Sequence, residues 1–278
     1  MRLAKRTRTE ATRRETELQV LEAIVEATRA TLPALKGRRS ELERAAGRRP
    51  PPPSFSRALS GPSVALIAEV KRRSPSAGTI NEALDPAQLA RAYVSGGSAA
   101  ISVLTNTRFF GGSLADLEAV VAAATVPVLR KDFILDEAQI LEARAAGASA
   151  VLLIARILPQ AALVRLLEFT VGLGLDALVE THNPVEVRRA VDAGAPIIGV
   201  NSRDLDTFTI DTAAAWQLLA GLPAECIAVA ESGMASRAEV GLAAGAGANA
   251  VLIGSALASA SDPAARAREL SGIARHAR

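Results

Sequence analysis

The sequence predicts an α/β protein, a (β/α)8 TIM barrel, on three observations. Eight short apolar runs recur along the chain. Between them lie segments whose apolar residues keep helical spacing. Polar and charged side chains gather at the C-terminal ends of the runs, while the opposite ends are plain. Strand and helix signals in strict alternation call for parallel strands joined by crossover helices. In a closed barrel of that kind, chemistry sits at the C-terminal ends of the strands. A doubly wound open sheet shares the alternation and stands as the alternative. No GxGxxG run follows the first strand, which weakens a dinucleotide fold.

Taken in order, Leu18, Leu21, Ile24 and Val25 form an apolar stripe on a first helix, which Pro33 is expected to end or kink. Leu35 to Ala46 reads as a second helical stretch, and Arg48 to Ser54, with four prolines, as a linker. Residues 1–60 are therefore a basic helical extension and Pro-rich linker, and residues 61–278 a (β/α)8 catalytic barrel, one domain overall. The strand-like runs begin near Ala65, Ala99, Pro127, Ala150, Asp176, Ile197, Cys226 and Ala250, at spacings of 34, 28, 23, 26, 21, 29 and 24 residues. The first, VALIAEV, is rich in branched residues and short, as a strand buried on both faces should be. Helical segments between the runs cover Pro86–Ser95, Ser113–Ala124, Glu137–Ala146, Pro159–Gly172, Pro184–Ala193, Asp211–Ala220 and Ser236–Ala244. Several close on glycine, a helix stop before the next strand.

Composition narrows the class. With 49% hydrophobic and 22% charged residues, the chain is typical of a soluble globular protein, and no apolar run approaches the length of a membrane span. The single cysteine, Cys226, lies in an apolar run and forms no internal disulfide, which fits a reducing cytoplasm. Residues 1–50 hold thirteen Lys+Arg against seven Asp+Glu, while the remainder holds 19 against 22. No aromatic accompanies the basic arm, so it reads as a solvated segment rather than a nucleic-acid surface. Arg2 to Arg14 has a transit-like composition without the apolar core of a signal peptide.

The strand ends carry the candidate chemistry. Glu69 and Lys71 end the first strand two residues apart, hence on one face. Lys131 and Phe133 end the third, Glu180 the fifth, and Asn201 and Arg203 the sixth in the same spacing. Ser74 opens the small-residue loop after the first strand. A carboxylate and an ammonium are costly to bury unpaired at the end of an apolar strand. Lysines crowded by other cations lose protons more readily, and a carboxylate beside a lysine stays ionised and accepts them. Arg203 suits a planar carboxylate through two hydrogen bonds. Ser232-Gly233 and Gly254-Ser255 follow strands seven and eight, where this fold binds phosphate, and small residues there expose backbone N–H groups to an anion. Together these ends describe a sugar-phosphate enzyme with acid–base chemistry. His182 leads into the helix start Asn183-Pro184 and reads as structural. Trp216 reads as packing, and no His/Cys/Asp cluster points to a metal.

The stretches IAEVKRRSPSAG, ISVLT with FFGGS, VLRKDFI, LVETHN, IIGVNSRDLDTF, AESGM and VLIGSAL, in this order across residues 18 to 270, resemble the indole-3-glycerol-phosphate synthase family. The resemblance implies closure of the ring of 1-(2-carboxyphenylamino)-1-deoxyribulose 5-phosphate with loss of CO2 and water, a carboxy-lyase step of tryptophan biosynthesis needing no cofactor or metal. It implies that Lys131 is the general acid of ring closure and Glu180 the base of dehydration. Lys71 would bind substrate and supply a second acid, with Glu69 its partner and Asn201 an active-site amide. Ser74 and Arg203 would contact the carboxylate side, Phe133 would wall the aromatic ring, and Ser232, Gly233, Gly254 and Ser255 would cradle phosphate. It also implies that the N-terminal helix lies across the barrel mouth. Asn106 departs from the family's pattern, standing where an acidic residue is common, and Thr28 and Pro33 interrupt a region usually basic and helical. The expected partner is a small sugar phosphate, with no nucleic acid or membrane, and the expected form a cytoplasmic monomer. A Schiff-base aldolase using Lys131 as nucleophile, or a non-catalytic paralogue, are the competing readings.

Overall fold

The computed structural model describes residues 2–74, 78–204, 209–276 and 278, with side chains described from residue 20 onward and Ser74 excepted. Eight parallel strands close a barrel: β1 (Ala65–Val70), β2 (Ala100–Leu104), β3 (Val128–Lys131), β4 (Ala150–Ile154), β5 (Asp176–Thr181), β6 (Ile197–Asn201), β7 (Ile227–Glu231) and β8 (Ala250–Ile253). Each pairs with its sequence neighbours, and β8 returns to β1 with Ala65 opposite Ala250, so no edge is left open. Closure rules out the open-sheet alternative.

Alternation along each strand builds two apolar layers. Ile67, Leu129, Leu152, Leu178, Ile197, Val229 and Leu252 fill the barrel interior. Leu66, Ile101, Val151, Val179, Ile198 and Val251 face outward under the helices. Those helices are α4 (Pro86–Ser95), α6 (Leu114–Ala123), α7 (Glu137–Ala146), α8 (Gln160–Gly172), α9 (Pro184–Asp192), α10 (Thr212–Ala220), α11 (Arg237–Gly245) and, after β8, α12 (Pro263–Leu270). Their starts are written locally. Asp85, Ser113, Asp136, Asn183, Asp211, Ser236 and Asp262 each accept a backbone N–H of the first turn, and Asp136 and Ser236 complete capping boxes with Gln139 and Glu239.

The extension differs from expectation. α1 (Arg2–Gly37) continues through Pro33, and the break falls at Arg38, whose N–H bonds to Leu35 O at 3.0 Å. Pro33 sits near the end of the helix, so its missing N–H and ring disturb little more than the last turn. The stretch expected as one helix from Leu35 to Ala46 is thereby divided between the end of α1 and α2 (Arg39–Arg48). Beyond the proline run, α3 (Phe55–Ala58) was not legible in the sequence. Phe55 and Leu59 are fully buried within the interior layer, and Ser56 N donates to Asp176 Oδ2, at the start of β5, at 2.9 Å. That short helix plugs the barrel at the end opposite its mouth.

Candidate active site

The inward-facing side of each strand carries the mouth residues. Ile67 belongs to the interior layer, so Glu69 and Lys71 continue on its side, as Lys131 and Phe133 continue from Leu129, Glu180 from Leu178, and Glu231 from Val229. They line a cavity of about 610 Å³, joined by Asn201, Arg203, Ser232, Gly233 and Ser255. Of the residues singled out from the sequence, Gly254 lies behind this wall. The side chain of Ser74 falls outside the described residues.

Lys131 is the centre. Its Nζ lies 2.7 Å from Glu180 Oε2 and 3.2 Å from Glu231 Oε2, with both carboxylate side chains at most 3% exposed. Burial works against the ammonium, but Glu180, Glu231 and Glu69 outweigh it, and the Lys131 pKa is raised. Burial also opposes charge on Glu180. Lys131 and His182 overcome it and hold Glu180 well below the carboxylate range. Glu231 goes the other way: burial, joined by the neighbouring charge of Glu180, pushes it well above that range against the pull of Lys131. Two carboxyls on one ammonium thus part in proton affinity, which separates an acceptor from a proton holder. On the other side of the mouth Lys71 Nζ pairs with Glu69 Oε1 at 2.9 Å and donates to Ser255 Oγ at 3.3 Å.

Glycines make this charge layer possible. A Cβ on Gly199 would stand 2.2 Å from Glu231 Oε1, and one on Gly254 would stand 2.2 Å from Glu69 Oε1 and 3.0 Å from Lys71 Nζ. Gly254 thus lacks a side chain to admit the Glu69–Lys71 pair, where the sequence suggested closeness to an anion. After β7, Ser232 and Gly233 take left-handed backbone with φ of 65° and 72°, and Ser232 is the sole non-glycine among the described residues to do so. Such conformations cost energy and cluster at ligand sites. The loop after β6 is tied to this turn, since Ser202 N and Oγ both donate to Glu231 O at 3.0 and 3.1 Å. Arg203 N donates to Asn201 Oδ1 at 3.0 Å, which orients both members of that pair.

Sequence reasoning left three residues without a role here. Glu231 was visible as the charged end of AVAE, but its partners lie on other strands. Phe110 lines the cavity with its ring centroid 6.0 Å from that of Phe133, completing an aromatic wall. It comes from α5 (Thr107–Phe110), whose N-cap is Asn106, accepting from Phe109 N at 3.1 Å. His182, read as structural, is buried between two carboxylates. Its Nδ1 meets Glu186 Oε2 at 2.9 Å and its Nε2 lies 3.3 Å from Glu180 Oε1. Among the described residues, no His, Cys, Asp and Glu group has the arrangement of a metal site. The same residues include no helix long and apolar enough to cross a membrane.

Known proteins resemble the chain at two levels. The family model described as indole-3-glycerol phosphate synthase matches residues 21–270. Relatives named indole-3-glycerol phosphate synthase include one from Mycobacterium avium, 49% identical over 253 residues that span 90% of this chain and 93% of the relative. Another, from Mycobacterium tuberculosis, is 47% identical over the same shares. Among solved structures, 3-hexulose-6-phosphate synthase from Salmonella typhimurium aligns with a TM-score of 0.58 at 18% identity, over 74% of this chain and 96% of that one. Thiamine phosphate pyrophosphorylase from Pyrococcus furiosus aligns at 0.57 and 16% identity, over 76% and 95%. At such identities the structural likeness speaks for the barrel alone.

Proposed function

The chain belongs to the indole-3-glycerol phosphate synthase family, carboxy-lyases that form the indole ring in tryptophan biosynthesis, and from that premise we propose how its mouth residues divide the work. The substrate is 1-(2-carboxyphenylamino)-1-deoxyribulose 5-phosphate. Its aromatic ring lies against Phe133 and Phe110. Arg203 receives the carboxylate, with Ser74 on the same side, and the turn at Ser232-Gly233 with Ser255 receives the phosphate, while Gly254, assigned to the phosphate from sequence, makes room for Glu69 and Lys71 instead. Lys131 donates a proton to the ketone oxygen as the ring carbon attacks, so that charge building on oxygen is neutralised as the new bond forms. Loss of CO2 then restores the aromatic ring. Glu180 takes the proton whose departure, with the hydroxyl, completes dehydration. Lys71 binds substrate and serves as the second acid, with Glu69 holding it and Asn201 bonding to the reacting sugar.

The observation that carries this reading is the ammonium of Lys131 between Glu180 and Glu231 on the cavity floor. A lysine that forms a Schiff base must spend time neutral, and the Glu180 and Glu69 carboxylates acting on Lys131 oppose that. Incubation with the carboxyphenylamino sugar phosphate should give indole fluorescence. Borohydride added during turnover should leave the protein mass unchanged, and a trapped adduct on Lys131 would favour the aldolase instead.

α1 is taken to lie over the mouth. In support, Ile24 is buried with Phe133 in the interior layer, and Lys36 reaches Asp136 at 2.8 Å, at the start of α7 just beyond the β3 end. The buried Cys226 thiol suits a reducing cytoplasm.

A further inference from the structure

His182 stands one step behind the site. It follows Glu180 by two residues, its side chain is 3% exposed, and it does not line the mouth cavity. Glu186, from the first turn of α9, holds it twice: one oxygen, Oε2, accepts the His182 backbone N–H at 2.9 Å and faces Nδ1 at 2.9 Å. Glu186 is itself fixed by Asn183 Nδ2 on Oε1 at 2.7 Å. Glu180 is thereby divided, with Oε1 toward His182 Nε2 and Oε2 toward Lys131 and the cavity. Side chains of this length are loose unless something behind them is fixed, and a loosely held reacting group loses rate.

We propose that His182, anchored by Glu186, is a positioning residue that holds Glu180 in the one rotamer presenting Oε2 to Lys131 and the substrate. The proposal rests on Glu180 being the base. The charged groups around the imidazole are Glu180 on β5, Glu186 on α9, Arg156 acting on Glu186 from the turn after β4, and Lys131 across Glu180. Burial disfavours charge on His182, yet the two flanking carboxylates hold it up to about 9, so an imidazolium backs the carboxylate at neutral pH.

The test uses three variants of the full chain, assayed for kcat and KM across pH. His182→Gln keeps a side chain in place but removes the cation. Glu186→Gln releases the imidazole without touching the cavity. Glu180→Gln reports on the base itself. For His182→Gln the expected result is a fall in kcat approaching about 100-fold, the scale of a small misplacement, with KM within about threefold. The acid limb of kcat should also move to higher pH, because a carboxylate that loses a neighbouring cation keeps its proton longer. Glu186→Gln should move both readouts the same way by less, and it decides alone if His182→Gln does not fold. Activity within threefold of the parent, or a loss with the acid limb unmoved, overturns the positioning role. If Glu180→Gln itself stays active, the assignment of the base fails. If Glu180→Gln is dead while the other two match the parent, the base stands and only His182 falls.

Discussion

Gly199→Ala adds one methyl to the floor of the mouth cavity. The backbone at 199 has no left-handed strain, so the methyl acts only through what it meets: Glu231 Oε1 at 2.2 Å and Leu178 Cδ1 at 3.2 Å. Ordinary contact begins near 3.4 Å, so the Glu231 carboxyl must retreat by more than 1 Å. Its hold on Lys131 is already 3.2 Å long, and a displacement of that size breaks it. Overpacking of this kind costs about 1–3 kcal/mol of stability. A reacting group misplaced by about 1 Å costs up to about 100-fold in turnover. The assay is indole fluorescence for kcat and KM, with chemical denaturation alongside. The double variant Gly199→Ala/Glu231→Asp shortens the offending side chain, so it should regain most of the lost stability, a non-additivity that marks direct contact. A Gly199→Ala protein matching the parent in both turnover and unfolding midpoint would show that the floor is not packed as described.

Three further outcomes are expected. Lys131→Met should lose about 10²–10⁴-fold in kcat as the proposed general acid disappears, and it should also unfold more readily, because removing one member of a buried ion-pair cluster costs about 3–5 kcal/mol; equal denaturation curves would refute the second half. Ser255→Asp should raise KM for the phosphorylated substrate and leave binding of a dephosphorylated analogue unchanged, whereas equal effects on both would place the phosphate elsewhere. Gly233 is unsuited to that test, since any side chain there meets Thr212 Cγ2 at 2.6 Å. His182 is raised from 6.5 to about 9 in the folded protein, so its stabilisation is complete below pH 6.5 and is lost as pH climbs through about 9. At about 1.4 kcal/mol per pH unit that interval amounts to on the order of 3 kcal/mol. The stability gap between the parent and His182→Gln should close by that amount between pH 6 and pH 9.5, and a gap independent of pH would contradict the assignment.

The barrel was legible because its instructions are local. Every apolar run became a strand beginning within one residue of its expected start, and the helical segments expected from Pro86, Ser113, Glu137, Pro184 and Ser236 likewise begin within one residue of those positions. Glu69 and Lys71 could be paired by their spacing alone, and they pair at 2.9 Å. What escaped notice depends on neighbours distant in sequence. Glu231 meets a lysine 100 residues earlier and a vacancy left by Gly199 on the adjacent strand. Gly254 makes room for a carboxylate far up the chain, whereas its place after the last strand reads from sequence as part of a phosphate cradle. His182 looked like part of a helix start because Asn183 does cap α9, and nothing local shows that the imidazole turns back to Glu180. Pro33 misled because proline marks helix ends on average, while here the helix outlasts it by four residues.

The proline run between α2 and α3 works as a spacer of set length. Arg144 Nη2 grips the carbonyls of Arg49 and Pro50, each at 2.9 Å, which anchors one end against the side of the barrel. Phe55 and Leu59 anchor the other end in its floor. Consecutive prolines favour an extended helix rising about 3.1 Å per residue. Losing one of them would leave the two anchors about 3 Å out of step, more than a close-packed contact tolerates. Sequence change in this surface strap should therefore be limited by its length far more than by its side chains.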